Sequence, residues 1–307
     1  MQNKNDALKF RPVALPCGEK GSTRLYTTNL FVGGCPHLCK YCYAQGFRAF
    51  SKSGPRPVAM PAITSVRKWP RKIFLSSASD PFHPVVVKQA GQLLKFALQA
   101  GSFVVISTKA LATPEIVRML SRYSDQVSYS VSLTSLNLDR NRILEPHAPD
   151  ADERLHGKKE NGQNFLCGIE QLAASGLHLT LKVDTIFPGF DDADENIARL
   201  LNEAKLCGAE AVTFSYAFFR KKFQKKLSNI PFLQKSLSEM NEYQPIASGM
   251  GFSLPLSEKK VRLSYMAQMA KDIGYQVIST CSCKNRIQSV SEGIPMRLDC
   301  HFHDRFF

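Results

Sequence analysis

Three cysteines lie within eight residues of one another in the N-terminal part of the chain. Cys35, Cys39 and Cys42 form the pattern C-x-x-x-C-x-x-C, directly after a predicted strand at 28–32. Three thiolates on one tight loop can bind three irons of a [4Fe–4S] cubane, and the fourth iron is then left without a protein ligand. Zinc is the alternative, but structural zinc sites favour four protein ligands and paired C-x-x-C units. The triplet therefore predicts an iron–sulfur cluster with one open iron.

An open iron of this kind has a defined chemical use. It can chelate the amino and carboxylate groups of S-adenosylmethionine (SAM) and pass an electron into the sulfonium. The products are methionine and a 5′-deoxyadenosyl radical. We therefore expect SAM as the second cofactor, and a reductant such as flavodoxin or ferredoxin as a partner.

A second group of soft ligands lies near the C-terminus. It consists of Cys281, Cys283 and Cys300, with His301 and His303 following the last cysteine. The three thiols could hold an auxiliary iron–sulfur cluster, or all three together with His301 or His303 could bind zinc tetrahedrally. Unligated thiols near the end of the chain are the third interpretation.

The elements that must position these residues alternate between strands and helices. Strands are predicted at 28–32, 73–76, 103–107, 127–132, 179–183 and 211–215, and helices at 84–99, 114–121, 152–175, 191–206 and 257–273. Such alternation implies an α/β fold with a parallel sheet and right-handed crossovers. Six units make a partial (β/α)6 TIM-like barrel rather than a closed eight-stranded one. We expect a core at 27–216, an N-terminal arm at 1–26 and a C-terminal extension at 217–307 that carries the second cysteine group.

Further motifs follow the triplet in order along the chain. They are Tyr43-Ala44, F-L-S-S-A-S-D-P-F at 74–82, S-T-K at 107–109, S-V-S-L-T at 130–134, E-P-H-A-P at 145–149 and P-G-F-D-D at 188–192. Together with the cysteines, this series resembles the radical SAM superfamily, and within it the spore photoproduct lyase-like branch. The resemblance covers residues 26 to about 216, and it implies the radical SAM type of partial barrel.

Four of the motif residues follow or close predicted strands, where function gathers in parallel α/β sheets. By the resemblance, Ser79 and Ser132 contact SAM, Lys109 pairs with the SAM carboxylate, and Asp80 competes with Ser79 as the polar contact. Turn and capping chemistry for the serines and a solvated Lys109 are the structural alternative.

The resemblance also implies roles near the cluster and along the loop at 145–154. Tyr41 and Tyr43 flank the third cysteine and are the predicted catalytic tyrosines, with Tyr43 beside the cluster and the adenosine. Arg154 either serves on the SAM side or pairs with Glu145, which would be a structural role.

One position departs from the branch that the motifs resemble. Spore photoproduct lyases have a hydrogen-donating cysteine at the end of the second strand, and this chain has Ser77 there. A serine O–H bond is far too strong to donate a hydrogen atom in that reaction. Repair of a thymine dimer is therefore not the expected activity.

The charge balance bears on the partner. The chain has 40 Lys and Arg against 26 Asp and Glu, a net charge of +14, which favours a polyanion such as nucleic acid. No apolar run is long enough to cross a bilayer, and residues 1–6 have no apolar core of a signal peptide. We therefore expect a cytoplasmic protein with no membrane partner.

Two basic runs could contribute to such binding. The run at 218–226 interleaves phenylalanines and cations, which suits an exposed base and a phosphate backbone. On a helix, however, Phe219 and Phe223 would share one face, as in an ordinary amphipathic core helix. The run at 67–72 precedes the second strand and is predicted to lie at the opposite, non-catalytic end of the sheet.

Three functions remain open from the sequence. The first is a radical SAM enzyme acting on a nucleic acid or nucleotide. The second is a radical SAM enzyme that modifies a peptide or small metabolite with an auxiliary C-terminal cluster. The third is a non-catalytic, metal-dependent nucleic-acid-binding protein that retains the barrel.

Overall fold

The computed structural model describes residues 10–12, 25–42, 44, 54–58, 66, 68–219, 221–246 and 249–280 of the 307. These residues form two compact units, each described by itself. The first comprises the described residues of Met1–Ala14, Glu19–Val131 and Glu145–Leu179, and the second those of Leu15–Gly18, Ser132–Leu144 and Thr180–Phe307.

Strands and helices alternate along most of the described chain. The strands are β1 (Arg11–Pro12), β2 (Leu25–Thr28), β3 (Phe31–Val32), β4 (Arg56–Pro57), β5 (Lys72–Leu75), β6 (Phe103–Thr108), β7 (Val127–Ser132), β8 (Lys158–Glu160), β9 (Gln163–Leu166), β10 (Leu179–Ile186), β11 (Ala211–Tyr216), β12 (Phe218–Phe219), β13 (Glu242–Ile246), β14 (Gly249–Ser253) and β15 (Val277–Thr280). The helices are α1 (Val87–Gln99), α2 (Pro114–Ser121), α3 (Leu138–Leu144), α4 (Ala151–His156), α5 (Ile169–Ala174), α6 (Asp194–Leu206), α7 (Lys221–Leu227), α8 (Gln234–Glu239) and α9 (Leu256–Ile273), with 3-10 turns at Ser124–Gln126 and Pro231–Leu233.

A parallel sheet forms the centre of the first unit. β2, β5, β6 and β7 are parallel neighbours in that order, and β1 pairs antiparallel with β2. Thr28 is in register with Leu75, and Leu75 with Ile106, so the carboxyl ends of these strands lie side by side. The loops that follow these ends carry the cysteine triplet and most of the predicted SAM contacts.

The helices of the first unit form for local reasons. α1 has buried apolar residues at a spacing of three and four (Ala90, Leu93, Leu94, Ala97, Leu98), which makes one face of the helix suited to the sheet. α2 begins at a Thr113 cap, whose hydroxyl accepts from the Ile116 N–H, with Pro114 in the first turn. The predicted bounds of α2 are confirmed at both ends.

The second unit has two sheets. β10, β11 and β15 are parallel, and β12, β14 and β13 form an antiparallel sheet in that order. Its buried ion pair joins α3 to the loop after β10, because Arg140 Nε and Nη2 each lie 2.8 Å from an oxygen of Asp191. Asp191 also accepts the Phe187 N–H at 2.9 Å, so this residue of the P-G-F-D-D motif holds its own loop.

The structure corrects three predicted elements. The helix predicted at 152–175 is two helices, α4 and α5, with the β8–β9 hairpin between them. The strand predicted at 28–32 is interrupted after Thr28, since β2 pairs with β5 whereas β3 pairs with β4. The run at 218–226 begins as β12 and continues as α7.

The domain boundaries predicted at 26 and 216 stay a prediction. Within the part of the chain that the structure describes, no helix has both the length and the apolar character to cross a membrane.

Candidate active site

The cysteine loop follows β3 and is built from two tight turns. The Leu38 N–H donates to the Cys35 carbonyl at 3.3 Å, and the Cys42 N–H donates to the Cys39 carbonyl at 3.1 Å. Leu38 lies in the left-handed region with φ 50°, which bends the chain back between the first two cysteines. Cys39 is buried, and Cys35 and Cys42 are half-buried.

The three thiols share one buried environment. Burial raises the pKa of the Cys35 thiol to about 12, and the Asp80 carboxylate and the Cys42 thiol contribute to the increase. Burial and then the Glu145 carboxylate raise the pKa of Cys39 as well, and both other cysteines of the triplet add to this increase. Each thiol is therefore close enough to its neighbours to disfavour a second negative charge.

This donor set fits a cubane better than a single metal ion. Among the described residues, no three His, Cys, Asp or Glu side chains converge as the ligands of one ion would. In a cubane, each thiolate binds a different iron, so the sulfurs do not have to meet at one point. Three thiols on one loop can therefore each hold one iron of such a cluster.

Asp80 holds the ends of β5 and β6 together. Its carboxylate accepts the Thr108 hydroxyl at 2.7 Å and the backbone N–H groups of Phe82 (3.0 Å), Lys109 (2.7 Å) and Ala110 (3.1 Å). Burial alone would raise the pKa of Asp80, but the charge of His37 and the hydrogen bonds from His37, Thr108 and Lys109 outweigh it and hold this pKa well below its usual range. The Asp80 carboxylate is thus ionised and committed to protein donors.

His37 connects Asp80 to the cysteine loop. Its Nε2 lies 3.1 Å from Asp80 Oδ2, and its Nδ1 lies 2.9 Å from the His147 carbonyl. A carbonyl only accepts, so Nδ1 carries a proton. The ring also meets His83 edge-on at 5.3 Å, and only 3% of His37 is exposed. His37 therefore fixes the first half of the cysteine loop against the loop after β5.

Glu145 fixes the second half of the cysteine loop. Its Oε1 accepts the Tyr41 hydroxyl and lies 3.6 Å from Lys109 Nζ, while its Oε2 accepts a short charged hydrogen bond from Arg154 Nη2. Arg154 also donates from Nε to the Pro149 carbonyl at 2.8 Å. The predicted Glu145–Arg154 pair is present, and both side chains are buried. A role of Arg154 toward SAM stays a prediction.

The remaining predicted SAM contacts lie at the strand ends. Lys109 directly follows β6, with its ammonium 5.8 Å from the centre of the Tyr41 ring, and it retains donors beyond its contact with Glu145. Ser132 is the last residue of β7 and is buried. The Ser79 hydroxyl is buried and has no hydrogen-bond partner among the described residues.

An orphaned buried hydroxyl indicates a ligand, because burial of a polar group without a partner is costly. Ser79 and the Lys109 ammonium both follow strands whose carboxyl ends are adjacent. A hydroxyl and a cation at this edge suit the zwitterionic end of an amino acid. The residues therefore fit SAM, although their individual roles stay predictions.

Ser77 makes a contact within the protein, and several of the predicted site residues lie outside the described part of the chain. Ser77 accepts the Thr27 hydroxyl at 2.7 Å, so the position that departs from the photoproduct lyases is tied to β2. The predicted residues that the structure does not describe are Tyr43, Cys281, Cys283 and Cys300.

Two residues of the site, His37 and Thr108, were not predicted from the sequence. His37 lies inside the C-x-x-x-C loop, and the presence of a histidine between two predicted ligands was the available signal. Thr108 stands between Ser107 and Lys109 in the S-T-K motif, of which only Lys109 had been assigned a role. Both residues act through Asp80, from which they are separated by 43 and 28 positions.

In the basic-aromatic run at 218–226, the structure favours the interpretation that Phe219 and Phe223 belong to the core. Phe219 and Phe223 are both buried, and Phe219 stacks on Phe187 with ring centres 5.7 Å apart. These two rings are not available to stack an exposed base.

Comparisons with known proteins agree with this geometry. A family model described as the radical SAM superfamily matches residues 29–201, more than half of the chain. The uncharacterized protein ORF301 of Acidianus two-tailed virus is 27% identical over 203 residues, covering 59% of this chain and 64% of that protein. The chain thus spans less than two thirds of that relative's length.

Solved structures show the same fold. A spore photoproduct lyase variant with bound SAM and dinucleoside spore photoproduct superposes with a TM-score of 0.58 at 18% identity, covering 88% of this chain and 78% of that one. Streptococcus suis SuiB bound to SAM gives a TM-score of 0.52 at 11% identity, covering 82% and 49%. These likenesses confirm the predicted α/β fold with a mostly parallel, partial-barrel sheet.

Proposed function

This chain belongs to the radical SAM superfamily, and from that premise we propose that it acts on a nucleic acid or a nucleotide. Membership makes it a radical SAM enzyme, which depends on a [4Fe–4S] cluster, SAM and a reductant. The finer assignments below, including the substrate, are proposals that the arrangement of the site supports.

The observation that supports a working cluster site is the double clamp on the cysteine loop. His37 and Asp80 hold its first half, and Tyr41 and Glu145 hold its second half, with the Lys109 ammonium against Glu145. Buried, mutually supporting hydrogen bonds of this kind preorganise ligands at a metal site. A chain that no longer used this loop would have no need to bury two carboxylates around it.

We assign three irons to Cys35, Cys39 and Cys42. When bound, the cluster supplies an electron to the SAM sulfonium, which gives methionine and a 5′-deoxyadenosyl radical. Lys109 pairs with the SAM carboxylate, while the unpartnered Ser79 hydroxyl contacts the same molecule. Asp80 positions the Lys109 backbone through its 2.7 Å hydrogen bond.

Further cofactor roles follow from the family resemblance. We propose that Ser132 contacts SAM, that Tyr43 packs beside the adenosine, and that Arg154 acts mainly through its ion pair with Glu145. Tyr41 is proposed as a catalytic residue whose hydroxyl Glu145 orients.

Two observations support a nucleic-acid substrate. The net charge is +14, which attracts polyanions. The fold is shared with spore photoproduct lyase, a protein solved with a dinucleoside photoproduct. Ser77 in place of the hydrogen-donor cysteine indicates a reaction other than photoproduct repair.

We further propose the setting in which the enzyme works. Flavodoxin or ferredoxin delivers the electron, and the protein is cytoplasmic, where a reducing environment keeps the thiols available to iron. Cys281, Cys283 and Cys300 are proposed as a second site for an auxiliary cluster or zinc.

The test is SAM cleavage after anaerobic reconstitution with iron and sulfide. We expect 5′-deoxyadenosine on reduction, and more of it when single-stranded DNA or RNA is added. Cys42→Ala should abolish the product, whereas Cys207→Ala, a buried cysteine at the end of α6, should retain it. Cleavage that no nucleic acid stimulates, but that a peptide does, would reject the proposed substrate.

A further inference from the structure

The positive charge of the chain is concentrated in one third of its length. Residues 20–114 hold 13 of the 40 Lys and Arg but only one acidic residue, Asp80, which is buried. The other residues hold the remaining 27 cations and 25 acidic side chains, which nearly balance. Almost all of the net charge of +14 therefore belongs to this stretch.

Stacked aromatic rings lie at the surface of the first unit beside this charge. Trp69 lies nearly parallel to Phe96, with ring centres 6.5 Å apart and an angle of 17° between the planes. Phe10 meets Trp69 edge-on at 5.5 Å. Phe96, on α1, is 38% exposed, and the other two rings are half-buried. The three rings thus form a partly exposed aromatic group rather than a closed core.

Three cations neighbour these rings along the chain. Lys68 and Arg71 are close in sequence to Trp69, and Lys95 precedes Phe96 on α1; all three are exposed. Within the described part of the chain, none of the three has an ion-pair partner. We call Phe10, Trp69 and Phe96 with these three cations the basic-aromatic platform.

The platform lies at the end of the sheet where the strands begin. The Ser102 hydroxyl donates to the Pro70 carbonyl at 2.7 Å, and the Phe103 N–H donates to the Arg71 carbonyl at 2.7 Å, which fixes this segment at the start of β6. Lys109 and Asp80 lie at the other end of β6. Its six residues span about 17 Å at ~3.3 Å per residue. The platform is therefore separate from the candidate active site.

We propose that the basic-aromatic platform binds single-stranded nucleic acid. Bases stack on the Trp69 and Phe96 rings, while Lys68, Arg71 and Lys95 contact phosphates. Aromatic stacking with a cationic track is how proteins hold single strands without reading their sequence. An acidic peptide would satisfy the cations but would offer no base-like face to the rings.

The platform deepens the proposed function, and it rests on that function for the nature of the polyanion. Because it lies at the far end of the strands, it cannot hold the nucleotide that reacts. It instead retains a distant part of the same strand and raises the affinity for long substrates over short ones.

Trp69 makes the proposal directly measurable, because it is the only tryptophan in the chain. We expect oligothymidylate to quench the intrinsic fluorescence saturably at low salt, with affinity falling steeply as salt is added. A Lys68→Glu/Arg71→Glu variant should bind about tenfold more weakly or worse, since two phosphate contacts become repulsive. The matched control is Lys235→Glu/Lys271→Glu, which reverses two exposed cations of the second unit and should leave the quenching unchanged.

Other outcomes would overturn the proposal in distinguishable ways. Binding of a labelled oligonucleotide by anisotropy without any tryptophan response would reject the platform and leave the proposed function standing. Equal quenching by a blunt duplex would reject the single-strand specificity. A tryptophan response to anionic phospholipid vesicles but not to oligonucleotide would indicate a membrane surface instead. Oligonucleotide-stimulated formation of 5′-deoxyadenosine tests the proposed function independently of all three.

Discussion

At the scale of single residues, two buried carboxylates organise the site. Asp80 gathers donors from the loop after β6 and from His37, and Glu145 gathers Tyr41, Lys109 and Arg154. The spacing of the cysteines is enough to predict a cluster motif, and their role as iron ligands stays a prediction. It could not predict these carboxylate contacts, since Tyr41 and Glu145 are 104 positions apart and only the folded chain brings them together.

The Glu145 clamp gives a stability prediction. Glu145→Gln leaves the guanidinium of Arg154 buried without its counter-charge, and Arg154 is only 1% exposed. Breaking a buried ion pair from one side costs about 3 kcal/mol or more. Urea unfolding of the metal-free protein at neutral pH should show this loss.

The control for that measurement is an exposed ion pair. Glu115 and Arg118 are 3.3 Å apart on the surface of α2, with more than half of each side chain exposed. Glu115→Gln should leave the unfolding midpoint essentially unchanged, because exposed pairs contribute little. Equal effects of the two variants would mean that Glu145 is not the centre of a buried network.

The cysteine environment predicts a pH dependence of the metal-free protein. The pKa of Cys35 is raised to about 12 in the folded state, whereas an unfolded cysteine titrates near about 8.5. The folded state therefore binds the proton of this thiol more tightly than the unfolded state does. The stability that the neutral thiol contributes is fully present below the pKa of the unfolded state and is lost as pH rises toward the pKa of the folded state. Cys35→Ala should lose less stability than the wild type between about pH 8.5 and about pH 10.5. Parallel stability curves for the two proteins would contradict the buried, neutral thiol.

At the scale of elements, the prediction from sequence was good where the periodicity was clear and wrong where a turn interrupted it. α2 begins and ends where its cap and apolar spacing predicted. The prediction of one helix at 152–175 overlooked the Asn161-Gly162 pair. Both residues have positive φ and close the β8–β9 hairpin. Asn-Gly is a strong hairpin signal, and the apolar spacing of the flanking helices concealed it.

Gly157, where α4 ends before the hairpin, is predicted not to tolerate a side chain. It has φ 75°, and a Cβ there would lie 2.4 Å from the Leu166 carbonyl oxygen. Gly101 after α1 has a similar φ of 77° but open space around it. Both alanine variants lose about 1–3 kcal/mol because a side chain disfavours positive φ, and Gly157, with ψ −174°, lies in a region that is essentially restricted to glycine. Gly157→Ala must also displace a backbone carbonyl, so it should unfold at clearly lower urea concentration than Gly101→Ala. Indistinguishable midpoints would show that the α4–α5 connection relaxes freely.

At the scale of the whole molecule, the clustered cysteines form two groups far apart along the sequence. The triplet at 35–42 lies in the first unit, and the contacts of His37 and Tyr41 described above are with residues of that same unit. The order of strands and helices was predictable from the sequence because parallel α/β folds alternate regularly. The partition into units was not, since residues 132–144 belong to one unit and 145–179 to the other. Chain position alone does not reveal such an exchange.

From this spacing we predict that the two groups of cysteines contribute independently to the metal content and the chemistry. Replacing Cys281, Cys283 and Cys300 with alanine should leave uncoupled SAM cleavage within about twofold of the wild type, since three thiolates suffice for a [4Fe–4S] cluster with one open iron. Replacing Cys35, Cys39 and Cys42 should abolish it. The iron content per chain, measured after anaerobic reconstitution, identifies the second site. About four irons in both the wild type and the C-terminal variant indicate zinc or unligated thiols there. About eight irons in the wild type and about four in the C-terminal variant indicate an auxiliary cluster. If the C-terminal variant lost SAM cleavage as completely as the triplet variant, the clamp formed by Asp80 and Glu145 would not be sufficient to hold the cluster, and the two groups would have to act as one site.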